Sequence, residues 1–227
     1  MTIKRLSAVA TIAASWGAAV LLLLSGSAVC HVVAWSFVAA KAVAIAITLL
    51  ALLRNRTLAW QILAARYRFD SANPHGLSQA LTRFVWEMPQ LFVGYCMAQI
   101  RVVFTNVDRV DTLKGVTFVT CCHRREHAYT GMSTGCYVQL WLPVEIKTDF
   151  EHYARHYAGK LLLHEYGHTV DSQRWGWLYL PVVGLSSLTS QIMELGGVRR
   201  HRHQFFWTEK RADRLGEQSF AKRSAKR

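Results

Sequence analysis

His164-Glu165-Tyr166-Gly167-His168 sets two imidazoles four residues apart with a carboxylate next to the first. Positions four apart lie on one face of a helix, so both rings can grip a single metal ion. Glu165 then stands beside that ion, placed to take a proton from a metal-bound water. A catalytic zinc takes a third protein ligand and keeps a fourth position open. Glu209-Lys210-Arg211-Ala212-Asp213 supplies two carboxylates, again four apart, and Glu209 follows His168 by 41 residues. One carboxylate can bind the metal while the other hydrogen-bonds a ligand imidazole. The small Ala212 lets the second helix come close to the first.

Together the two motifs resemble the gluzincin metallopeptidases. The similarity is strongest to the membrane-bound group of the CAAX prenyl endopeptidases and the HtpX-like heat-shock peptidases, and it covers residues 131–216. The resemblance implies one zinc ion per chain held by His164, His168 and Glu209. It implies Glu165 as the general base and Asp213 as the group that orients His164. It also implies a glycine-containing edge strand ahead of the first zinc helix, where a substrate backbone adds as a further strand. Residues 131–138 stand at that place, and Gly135, Cys136, Tyr137 and Val138 are the expected substrate edge. His201 or His203, shortly before Glu209, could donate to a developing oxyanion.

These residues need elements to position them. The first is an anchor, residues 1–56. Residues 6–24 carry no charge, follow Lys4 and Arg5, and as a helix would measure about 28 Å, close to the hydrocarbon thickness. Ser25-Gly26-Ser27 breaks the run. Residues 29–53 form a second apolar stretch, interrupted by His31 and Lys41 and followed by Arg54, Arg56, Arg66 and Arg68. Charge outside both ends and none in the turn predicts a transmembrane helical hairpin with both ends cytoplasmic. The other reading is a cleaved signal peptide at Gly26-Ser27-Ala28; the second stretch would then stop transfer and leave the bulk of the chain on the same side. Lys41 either snorkels or meets a partner such as Ser15.

Residues 57–227 are expected to form a small zincin-like domain, making the chain a mostly helical α+β protein. Asn73-Pro74-His75-Gly76 is a turn cluster. Residues 77–106 read as helix with Pro89 as a kink or break, and 91–100 could pack in the core or lie on the bilayer. Residues 116–120 and 137–141 read as strands. Residues 148–174 read as helix loosened near Gly159, and 209–220 as the last helix.

The 19 residues 175–193 are uncharged and long enough to cross a membrane. A single crossing there would put His168 and Glu209 on opposite sides of a layer about 30 Å thick, whereas zinc ligands sit about 2 Å from the metal. Pro181, Gly184 and Ser186-Ser187 also weaken a straight span. The stretch is therefore expected to lie on the membrane as a re-entrant or interfacial segment, or to be an ordinary buried hairpin. A site buried in mid-bilayer is disfavoured by Lys160, Asp171, Gln173 and Arg174 on the same helix as the histidines.

Composition sets the outer bounds. Lys plus Arg is 27 against 14 acids, a net charge of +13, yet the apolar fraction is 52% and mean hydropathy is +0.13. A disordered basic tail would be poor in apolar residues. Five cysteines, including the adjacent Cys121-Cys122 and no Cys-x-x-Cys, exclude a disulfide scaffold and a thiolate zinc site. His152 and His156 read as solvated helix residues, and His123 and His127 as loop residues. Ten Lys or Arg against three acids over 199–227 fit anionic headgroups, and no nucleic-acid module is present. The expected function is zinc-assisted peptide hydrolysis on a peptide or protein substrate, which the anchor would hold close to the membrane, with the bilayer as the other partner. The alternatives are a non-catalytic zinc-stabilised membrane scaffold and a basic lipid- or nucleic-acid-binding protein.

Overall fold

The computed structural model describes residue 13 and residues 16–69, 76–122, 130–156, 159–197 and 202–224. Residues 6–12, 14 and 15 of the first apolar run, most of the turn cluster at 73–76, and His123, His127 and His201 lie outside the described residues. Residues 16–24 are helical and end at Ser25-Gly26-Ser27, where Gly26 takes φ +69°. The long helix α1 (Ala28–Arg54) follows; it is the one described helix long and apolar enough to cross a membrane. Asn55 breaks it with extended backbone and caps α2 (Arg56–Ala65), accepting the Leu58 N–H through Oδ1 at 3.1 Å. The short α3 (Gly76–Arg83) leads to α4 (Met88–Phe104). Pro89 does not kink a long helix. It lies in the first turn of α4, where a missing N–H costs nothing.

Four strands form one mixed sheet in the order β1-β2-β4-β3: β1 (Arg109–Leu113), β2 (Val116–Cys122), β3 (Thr130–Thr134) and β4 (Tyr137–Leu142). Lys114 and Gly115, both at positive φ, join β1 to β2, as a tight hairpin requires. Gly135, at φ +61°, opens the two-residue link from β3 to β4. Neither outer strand shows the β-rich apolar run of β2 and β4; β1 was not legible as a strand, and β3 only through the edge strand that the resemblance implies at 131–138. They change the expected substrate edge: the free edge beside the histidine helix is β3. Gly135 and Cys136 form the turn, and Tyr137 and Val138 are buried in β4, paired on both sides.

The sheet is the middle of three layers. Val119 and Tyr137 face α4 and, beyond it, α1 and α2, in a core with Ile62, Leu91, Tyr95, Ala98 and Val102. Residues 91–100 thus serve the core. Phe118, Val138, Leu140 and Leu142 face the other way, onto α5 (Phe150–His156) and α6 (Gly159–Trp175), with Phe150, Leu162 and Tyr166. The alternation of side chains along a strand assigns neighbours such as Phe118 and Val119 to opposite layers.

After α6 the chain neither crosses away nor forms a plain loop. A 3₁₀ turn (Gly176–Leu178), a π-helical stretch (Tyr179–Gly184) and α7 (Leu185–Leu195) run on from one another. A short turn (His203–Phe205) precedes α8 (Trp207–Ser224), which packs along α6.

Candidate metal centre

Helix α6 carries both histidines and α8 both carboxylates, so the site depends on how closely these helices meet. Two glycines set that distance. A Cβ on Gly167 would lie 1.8 Å from the Ala212 carbonyl oxygen, and one on Gly216 2.0 Å from that of Leu163. The two backbones touch, and no larger residue fits at either place. Ala212 is fully buried between them, as its size predicts. Arg211 Nε donates to buried Asp171 Oδ1 at 2.7 Å and ties the helices a turn away.

At this spacing His164, His168 and Glu209 converge, with their ligating atoms all within 4.8 Å of one another. Glu209 Oε2 lies 3.1 Å from His164 Nε2 and 3.3 Å from His168 Nε2. Ligands about 2.0–2.2 Å from a tetrahedral ion stand about 3.4 Å apart, and the spacing of Glu209 Oε2 to each imidazole nitrogen matches that of ligands around one small divalent cation. Among the described residues no other group of three His, Cys, Asp or Glu does so. His152 and His156 stack at 4.3 Å on α5 without a third ligand.

The outer contacts divide unequally. His164 Nδ1–H donates to Asp213 Oδ1 at 2.8 Å, the orienting contact expected of Asp213. His168 Nδ1 is buried and has no hydrogen-bond partner among the described residues. Glu209 uses its two oxygens differently. Oε2 faces the imidazoles, while Oε1 accepts from Ser187 Oγ and Thr208 Oγ1, both at 2.8 Å, and has His203 Nε2 at 3.5 Å. The first turn of α8 alone does not hold Glu209; α7 reaches across to it.

Glu165 is 4% exposed and packs against β3. Ser133 Oγ bonds its carboxylate Oε2 and stands 2.9 Å from its main-chain oxygen. A Cβ on Gly131 would fall 2.5 Å from Glu165 Oε1, so glycine on the edge strand makes room for this side chain. Burial raises the Glu165 carboxyl above its ordinary range, opposed by the His168 and His164 charges and by Ser133. Burial likewise acts against an ionised Glu209, but its bonds to His164 and His168 prevail and hold it well below the usual carboxylate range. For His164, burial opposes protonation, yet Glu209 and Asp213 outweigh it and raise the pKa to about 9.

Ser133, Ser187 and the inner role of His203 have no sequence signal of their own. Serine is common, and only the tertiary contacts single these out. No protein-family model, no curated protein and no solved structure matches the chain. Fold and site together define a class: a mostly helical α+β protein with one helix apolar enough to cross a membrane and a triad able to hold a metal ion.

Proposed function

We propose that the chain is a membrane-bound zinc metallopeptidase, with α1 as an anchor and the basic domain on the cytoplasmic side. The observation that carries this reading is the convergence of His164 Nε2, His168 Nε2 and Glu209 Oε2 beside a buried carboxylate, Glu165. Two imidazoles and one carboxylate are a donor set suited to zinc, and three protein ligands leave a coordination position open. Bound there, zinc would acidify a water and polarise a carbonyl.

The chain's own residues account for the rest. Glu165, its carboxyl pushed up by burial, is the group that takes and returns a proton. Ser133 holds one oxygen of that carboxylate, and Gly131 leaves space for it. Asp213 fixes the ring of His164 from behind. The free edge of β3 offers unpaired backbone to an extended peptide, which would then run past Glu165.

The test is metal content followed by hydrolysis. Purified protein should carry about one zinc per chain, and Glu209→Ala should lose it. Wild type should cleave an unstructured peptide library, and Glu165→Gln should not, while keeping its zinc. Zinc without hydrolysis would identify a non-catalytic zinc-stabilised scaffold. No zinc in protein prepared without chelators would overturn both readings.

A further inference from the structure

The segment from Leu178 to Leu195 is amphipathic the wrong way round for a protein surface in water. Leu178, Leu185, Leu188, Ile192 and Leu195 recur at helical spacing and are each at least 52% exposed. The opposite face carries Ser187 and Ser190, and Ser190 is fully buried. A helix against solvent turns its apolar stripe inward; Tyr179 and Val183 of the π-helical stretch do so, but in α7 the apolar stripe points out and the hydroxyls point in. The inward hydroxyls have work to do. Ser187 Oγ donates to Glu209 Oε1 at 2.8 Å, and Ser190 Oγ bonds His203 Nδ1 at 3.0 Å. His203 in turn has its Nε2 3.5 Å from the same Glu209 oxygen.

Two observations identify what covers the stripe. The first is continuity with α1. Tyr95 of α4 bonds Thr48 in the C-terminal part of α1 at 2.6 Å, so α4 lies along α1. The N-terminal end of α4 and the turn before it then carry the apolar segment: Gln90 Nε2 donates to Gly176 O at 2.7 Å and Trp177 Nε1 to Val85 O at 2.6 Å. The stripe is thus built onto the same body as the one helix apolar enough to cross a membrane. The second is charge. Exposed Arg174 and Arg202 bracket the segment, and the residues after 199 carry a surplus of Lys and Arg. Apolar side chains flanked by guanidinium groups match the acyl layer and headgroups of an anionic leaflet.

We propose that the acyl layer of an anionic bilayer covers the Leu178–Leu195 stripe, and that the lipid-seated α7 positions the metal ligand Glu209 through Ser187 and through Ser190 and His203. The bilayer is then part of the metal site's support rather than only an anchor. The coupling half of this inference rests on the metal reading above; the lipid half does not.

The experiment uses the full chain in nanodiscs of phosphatidylcholine and phosphatidylglycerol doped with a phospholipid bearing a diazirine on its acyl chain. After illumination, labelled peptides are mapped by mass spectrometry, and zinc affinity is titrated in the same discs. Label is expected on α1 and on the stripe. Leu188→Glu should lose label on the stripe, keep it on α1, and weaken zinc binding about tenfold, the scale of a lost outer contact. Ser187→Ala should keep the label and weaken zinc binding by a similar factor. Label on α1 alone, with the stripe covered by a second copy or another protein, overturns the lipid seat. Unchanged zinc affinity in both variants overturns the coupling. Absence of zinc from the wild type overturns the metal reading and the coupling together, while the label still decides the lipid seat.

Discussion

Gly167 of α6 and Ala212 of α8 meet backbone to backbone: a Cβ on Gly167 would lie 1.8 Å from the Ala212 carbonyl oxygen. That approach is what brings Glu209 Oε2 to 3.1 and 3.3 Å from the two imidazole nitrogens. Gly167→Ala should therefore separate the helices, lower stability by about 2–3 kcal/mol, and weaken metal binding as well. Thermal unfolding with zinc titration reads both. Gly17→Ala, where a Cβ meets nothing within 4 Å, is the control and should cost no stability.

Glu165→Gln keeps the shape of the side chain and removes its basicity. Hydrolysis should fall by at least about a hundredfold, while zinc content stays that of the wild type. Activity surviving in this variant would remove Glu165 from the role of base.

Gly131→Ala tests the same group from the other side. The new methyl would sit 2.5 Å from Glu165 Oε1 and push the carboxylate off Ser133. Turnover should drop with zinc affinity unchanged, since none of the three ligands is touched. A parallel loss of zinc would mean that the strand supports the histidines and not the base.

Asp213→Asn should weaken zinc binding about 10-fold to 100-fold, because the ring of His164 loses the carboxylate that orients it. Among the described residues His168 Nδ1 has no such outer partner. A competition titration with a chromophoric chelator measures the difference.

The pH dependence of metal binding follows from His164. In the metal-free protein its pKa is raised from 6.5 to about 9 by Glu209 and Asp213, against the effect of burial. The proton is thus retained at neutral pH and must leave when metal binds. Zinc affinity should rise by about tenfold per pH unit up to about pH 9 and then level. The metal-free protein should behave in the opposite sense. Stability from the protonated ring is fully present below pH 6.5 and is lost as pH rises through about 9. Chelator competition and thermal unfolding between pH 6 and 10 check the two arms; affinity flat across this range would contradict the assignment.

Much of the site was legible because it is helical and local. Two histidines at a spacing of four, and Glu209 and Asp213 at the same spacing, share a face whatever the rest of the chain does. The apolar run at 29–53 and the strands around Val119 and Tyr137 were equally local signals. β1 and β3 carried no such signal, because Arg109–Leu113 and Thr130–Thr134 alternate too weakly, and pairing with β2 and β4 makes them strands; only the resemblance pointed to a strand near β3. The segment expected as an edge strand, residues 131–138, divides between the outer β3 and the inner β4, since which strand is outermost is a property of the sheet's order and not of any segment.

By itself, then, the sequence determined the identity of the candidate ligands and base, through residue type and helical period, and the presence of a long apolar helix. Tertiary structure alone decided how these residues are held. It made Glu209 face the imidazoles with one oxygen and α7 with the other, gave Glu165 its serine and its glycine, and turned the Leu178–Leu195 stripe outward. Those are contacts between segments tens of residues apart, and chain periodicity carries no information about them until the elements have packed.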